Sequence, residues 1–315
     1  MNEEHKPISL ARVRTVSLAE RCSKFTLELV GRPWERGQSF SEFLGRLPRI
    51  LAGTDFTEVA KAIAEASRRK RMVVLGMGAH PIKVGLSPII IDLMERGVLS
   101  GVAMTGAGII HDAELAIAGR TSEDVAAALA DGSFGMSRET ADLLNRAISR
   151  QRQTERGLGS LVGQALLESG APHLSRSILA TGARIGTPVT VHVALGADII
   201  HLHPSVDPGA TGEASHLDFR ILARLVALLE EGVYLNLGSA VFLPEVFLKA
   251  LALVRNLGYR VERFTTVNMD FQRHYRPRVN VVERPVLKGG RGYELIGHHE
   301  IMVPLLAAAV IELLG

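Results

Sequence analysis

The chain has a single cysteine, Cys22, which excludes an internal disulfide framework and any metal site built from several thiolates. A chain of this kind fits a reducing compartment. It also lacks a charge excess: 36 basic residues against 33 acidic ones leave a net charge of +3. The basic clusters, Arg68 to Arg71 and Arg273 to Arg278, are short, so neither suggests a nucleic-acid partner. The longest apolar run, around Met302 to Leu314, is too short to span a bilayer. The opening MNEEHKPISL lacks the apolar core of a signal peptide. No fixed-period repeat or low-complexity tract is present. These absences predict a cytoplasmic, soluble protein with neither membrane nor nucleic acid as partner.

What is present is apolar mass. Hydrophobic residues make up 47% of the 315 positions, ample for one large or two moderate domains. Two candidate capping boxes, Ser39-x-x-Glu42 and Asp55-x-x-Glu58, precede apolar positions at helical spacing and predict a helical pair before residue 70. Beyond it, short apolar runs alternate with longer helical patterns. Strands are expected at 72–76, 101–105, 188–194, 233–238 and 259–267. Helices are expected over 81–96, in several pieces over 111–150, after Gly157, near Ser215, from Pro244 and from about Glu300. Such alternation means parallel pairing, because each return crossover needs a helix. The predicted architecture is α/β: a doubly wound, mostly parallel, Rossmann-like sheet with helices on both faces. It divides into a helical N-terminal extension over 1–70 and a nucleotide-binding domain over 71–315.

In such sheets ligands bind beyond the carboxyl ends of the strands. Gly76-Met77-Gly78-Ala79-His80 and Thr105-Gly106-Ala107-Gly108 follow the first two strands, with His111 and Asp112 just beyond, where a helix is expected to begin. Small residues let a ligand approach the backbone, and a helix start offers unpaired N–H groups to an anion such as a pyrophosphate. The third glycine of a dinucleotide fingerprint is missing, since Pro81 stands there, and no acidic residue ends the second strand to hold a ribose. GADIIHLHP (196–204) follows the third strand. If it is extended, His201 and His203 point the same way and can share a ligand, with zinc or iron as an alternative although no third metal ligand is evident. Asp198 beside them suits a general base or an amine-binding group. His298, His299 and Glu300 open the last helix. Arg273, Arg276 and Arg278 around His274 and Tyr275 suit an anionic substrate or a subunit contact, or are simply a solvated loop.

Four blocks, in order, resemble the deoxyhypusine synthase family over roughly residues 70–310: VVLGMGAHPIKVGLSPIIIDLMERGVLSGVAMTGAGIIHDAEL, TPVTVHVALGADIIHLHP, GVYLNLGSAVFLPEVFLKALALVRN and HEIMVPLLAAAVIE. The resemblance implies NAD as cofactor, contacted through Gly76, Gly78, Ala79, His80, Thr105, Gly106, Ala107, Gly108 and Asp112. It also implies an amine or amino-acid substrate oxidised transiently, with aminoalkyl transfer, and a homotetramer with sites between subunits. Its catalytic residues are expected among Asp198, His201, His203 and Lys288. Departures argue against deoxyhypusine synthesis itself. Pro244-Glu245 replaces the family's His-His pair, Ile110-His111 interrupts its acidic run, and its Trp-Gly-Lys motif is missing, leaving Lys288 as the nearest substitute. A non-catalytic nucleotide-binding or regulatory protein, an NAD-dependent cyclodeaminase and a metal-dependent hydrolase stand as alternatives.

Overall fold

The computed structural model describes residues 5–315. Six parallel strands form one sheet in the order β3-β2-β1-β4-β5-β6: β1 Val73–Met77, β2 Gly101–Thr105, β3 Val189–His192, β4 Val233–Leu237, β5 Thr265–Asp270 and β6 Arg291–Ile296. This is the doubly wound Rossmann order, and its strand sequence reverses direction between β1 and β4. Side-chain alternation divides the apolar residues between two faces. Val73, Leu75 and Leu235 join the larger core with the helices Ala52–Arg68, Ser87–Glu95, Gly106–Ala118 and His299–Leu314. Val74 and Tyr234 point to the smaller core under Pro208–Ala227 and Phe242–Asn256. There Tyr234 stacks on Phe247 at 3.7 Å.

The helical pair before residue 70 is present as Phe40–Leu44 and Ala52–Arg68. Ser39 and Glu42 form the expected reciprocal capping box. Asp55 does not: the helix has already begun at Ala52, and the Asp55 N–H donates to the carbonyl of Leu51. Phe56, Val59 and Ile63 of this helix share the main core with β1.

Three further expectations need correction, and one strand was not anticipated. The helix expected over 81–96 is two helices, His80–Lys83 and Ser87–Glu95, because Gly85 takes a left-handed conformation, φ +82°, between them. The strand expected over 259–267 enters the sheet only at Thr265, since the N–H groups of Glu262 and Arg263 donate to the Glu230 carboxylate rather than to a neighbouring strand. Ser215 caps nothing. The helix starts at Pro208 behind Asp207, and the Ser215 hydroxyl ties its middle to β3 by donating to Val191 and accepting from Val193. Strand β6 gave no alternating apolar signal: in RGYELI only Leu295 is buried, as suits the edge of a sheet.

Among the described residues, no helix is long and apolar enough to cross a membrane.

Candidate functional site

The carboxyl edge of the sheet has a floor made largely of backbone. Gly78, just past β1, lies against Gly238, just past β4, so closely that a Cβ on Gly78 would sit 2.2 Å from the Gly238 carbonyl oxygen. Gly238 is itself left-handed, φ +60°, and a Cβ there would meet the His299 ring at 2.6 Å. Only glycine meets both demands at 238. His299 is thus wedged at the β1–β4 junction from the start of the last helix. It is fully buried, as is Asp270 at the end of β5.

On the β2 side the helix Gly106–Ala118 begins without a side-chain cap, its Thr105 making none. Beside it opens a cavity of about 680 Å³, within the range of small-molecule sites. Lys83, Ala107, His111, Glu114, Arg120 and Asp198 line it. The Asp198 carboxylate packs on Gly106, where a Cβ would lie 1.9 Å from Oδ2. That oxygen is buried and has no hydrogen-bond donor. Burial pushes the Asp198 carboxyl up to about 6. Across the cavity Thr121 joins His111 Nδ1, at 2.7 Å, to Glu114. Burial, and secondarily the Lys83 charge, pull the His111 imidazole down to about 4, so it is neutral at physiological pH.

The predicted residues fall into three groups. Gly76, Gly78, Ala79, His80, Thr105, Gly106, Ala107 and Gly108 all lie at the carboxyl edge, and Asp198 joins them there. The space beside the glycines is taken by this chain's own atoms: besides the contacts at Gly78 and Gly106, a Cβ on Gly76 would meet the Tyr234 hydroxyl at 2.3 Å.

A second group is near but otherwise engaged. The helix begins at Gly106, earlier than expected, which carries Asp112 into its second turn and inward. Its carboxylate accepts from the Ser177 hydroxyl and from the N–H groups of Ile178, at 2.8 Å, and Leu179, thereby capping the helix Ile178–Ile185. It has no exposed surface to offer a cofactor. His201 and His203 do not pair, because Ile199–Leu202 is a tight 3-10 turn and not an extended segment. His201 Nδ1 accepts from the Gly196 N–H, leaving Nε2 buried and unpartnered, whereas His203 bonds Ser205 at 2.7 Å. Among the described residues no group of three or more His, Cys, Asp or Glu side chains is placed to hold a metal ion.

The third position is remote. Lys288 precedes β6 and therefore lies at the amino edge of the sheet, exposed and 4.0 Å from Glu262.

Sequence reasoning missed Lys83, Glu114, Arg120 and Thr121, which face the cavity from helix and loop positions with no motif. It noted His299 only at the opening of the last helix and did not connect it with Asp270. Their meeting with His80, whose Nδ1 lies 2.9 Å from His299 Nδ1, depends on strand order.

No family model matches the chain, and no curated protein is similar to it in sequence. Solved structures share its fold. A ternary complex of AgrE with ornithine and NAD+ superposes with a TM-score of 0.56 at 12% identity, over 83% of this chain but only 33% of that one. A conserved candidate LOR/SDH protein from Methanococcus maripaludis S2 gives 0.51 at 16% identity, covering 82% of this chain and 70% of that one. A candidate deoxyhypusine synthase from Entamoeba histolytica gives 0.50 at 11% identity and covers 90% and 96%. The likeness to the deoxyhypusine synthase type inferred from four sequence blocks therefore holds at the level of the fold.

Proposed function

Taking as premise a doubly wound fold shared with deoxyhypusine-synthase-like proteins, we propose that this chain is an NAD-dependent enzyme that oxidises an amine or amino acid transiently. The reaction is of the aminoalkyl-transfer or cyclising-deamination kind, distinct from deoxyhypusine synthesis. One observation carries the reading: a cavity of about 680 Å³ at the uncapped start of the helix Gly106–Ala118 combines Lys83 and Arg120 with Glu114 and an Asp198 oxygen that has no donor. An ammonium group supplies the donor that Asp198 lacks, and the two cations suit a carboxylate or a phosphate. The AgrE complex, which contains ornithine and NAD+, supports the same pairing of ligands.

The residues fit a dinucleotide as well. The N–H of Ala107 at the helix start would meet a pyrophosphate, with Lys83 as counter-charge. When bound, the nicotinamide supplies a hydride acceptor. The chain's own part is to orient the amine through Asp198 and to exclude water with Ile110 and Ile199. Of the two histidines beyond β3, His201 keeps a buried ring nitrogen without a partner. Lys288, at the opposite edge, has no part in this scheme, which leaves the reaction without the family's imine-forming lysine.

Gly106→Val is the test. Its Cβ displaces Asp198, so calorimetry should show NAD+ binding by the unaltered protein, with loss in the variant of the response to a basic amino acid such as ornithine. An unaltered protein that neither binds NAD+ nor releases a nucleotide on denaturation overturns the reading. The proposal also includes a homotetramer, for which light scattering at micromolar concentration should give about four times the 34.0 kDa chain mass. A monomer would exclude any site shared between subunits.

A further inference from the structure

Three strand ends converge on a cluster outside the cavity. His80 follows β1 and remains partly exposed; His299 and Asp270 are buried behind it. The two imidazoles meet through their Nδ1 atoms at 2.9 Å, with the rings at 65°. Such a contact requires one nitrogen to carry the proton and the other a lone pair. On its far side His299 Nε2 has no hydrogen-bond partner and lies 3.9 Å from Asp270 Oδ1. Burial is the largest influence on His299 and lowers its pKa, as does the neighbouring His80, while the Asp270 charge and a Met269 backbone hydrogen bond oppose it, so the ring is held neutral. Phe271 walls the cluster, its ring centroid 5.4 Å from that of His80 and 5.6 Å from that of His299.

These contacts select the tautomers in sequence. Asp270 favours the proton of His299 on Nε2, which leaves its Nδ1 as an acceptor. His80 must then donate from its own Nδ1, and its Nε2 is left with a free lone pair. We infer that His80 Nε2 is the proton acceptor of this crevice, with His299 and Asp270 as positioning residues that fix its tautomer from behind. The placement is independent of any cofactor; the use rests on the oxidation proposed above. In that use the substrate carries two amino groups: one is held by Asp198, and the other, a primary ammonium group on a hydrogen-bearing carbon, gives one N–H proton to His80 Nε2. The carbon's hydride then leaves with its electron pair for a nicotinamide dinucleotide, while the nitrogen lone pair closes the C=N bond. The products are a protonated imine, the reduced dinucleotide and His80 as imidazolium. The imidazolium remains tied to His299 through Nδ1–H.

The test reads the tautomers directly in the full-length protein labelled with 15N at histidine, by long-range 1H–15N spectra at pH 8, with His80→Gln and His299→Gln spectra identifying the two rings. The expected result is a proton on Nδ1 of His80 and on Nε2 of His299. A proton on His80 Nε2 overturns the inference. Asp270→Leu should mix the tautomers of both rings, and unchanged tautomers in that variant would remove Asp270 from the relay; should it not fold, the wild-type spectrum decides. His80→Gln should retain NAD+ binding by calorimetry and lose about 10²-fold or more in turnover of an oxidisable diamine or basic amino acid. Loss of NAD+ binding in that variant would make His80 a cofactor contact instead. Correct tautomers in a protein that does not bind NAD+ would leave the relay standing and overturn only the oxidation reading.

Discussion

Asp218→Ala is expected to lower the unfolding free energy by about 3 kcal/mol or more, read as a shift in denaturant midpoint at unchanged slope. The carboxylate lies in the middle of the helix Pro208–Ala227 and is almost wholly buried. It accepts from the N–H of Gly159 at 2.8 Å and from that of Val191 at 2.7 Å, and so fastens one helix to both the start of another and the edge strand β3. The approach is close enough to require glycine: a Cβ on Gly157 would lie 1.9 Å from Asp218 Oδ1. Alanine at 218 leaves those donors buried without acceptors, each costing about 1–3 kcal/mol. Asp218→Asn keeps one acceptor and should recover part of the loss. A midpoint shift worth less than about 1 kcal/mol in Asp218→Ala would mean that water reaches these groups.

Asp198→Asn has opposite expected effects on activity and on stability. Turnover should fall by about 10²-fold or more, because the amide cannot hold an ammonium group by charge. Stability at pH 7 should rise. With its pKa raised to about 6 by burial, the folded chain holds the Asp198 proton more tightly than the unfolded chain does. The stabilisation is therefore complete below the ordinary value of 3.8 and is lost as pH climbs through about 6. Asp112, pushed by burial up to about 6, and Asp218, up to about 7, carry the same sign against the hydrogen bonds that favour their anions. Measured against Asp198→Asn, whose amide does not titrate, the thermal midpoint of the wild-type protein should accordingly fall behind between about pH 4 and about pH 7. Coincident curves for the two proteins would show that the carboxylate is hydrated, and would remove the basis for its role as an amine seat.

The sequence disclosed the elements that rest on burial. Strands such as VVLGM and VYLNL are apolar on both faces because helices cover both, and a near-continuous apolar run is the mark of that environment. Strand β6 was hidden because an edge strand buries little. The break at Gly85 was marked by that glycine and by Pro88 just beyond it, but apolar residues at helical spacing on both sides read as one helix. Within the site, glycine turns were legible because backbone demands are local. Thr105 to Gly108 could be found in one short window. The meeting of His80 with His299 spans 219 positions and follows only from β1 lying beside β4 and β5 beside β6. Asp112 misled for a related reason: a carboxylate near a helix start reads the same whether it faces a ligand or the first turn of another helix.

The strand order also has a kinetic meaning. Strands β1, β2 and β3 pair among themselves, as do β4, β5 and β6, and a single seam, β1 against β4, joins the two halves. His80 comes from the first half; Gly238, Asp270 and His299 come from the second. Either half can zip along its own contiguous segment before the seam closes, and closing it carries the entropy of a loop about 160 residues long. Fragments cut near residue 230 would each carry three strands, and only their complementation would bring the four residues into register. The appearance of the coupled histidine pair would then serve as a clock for the last step of assembly.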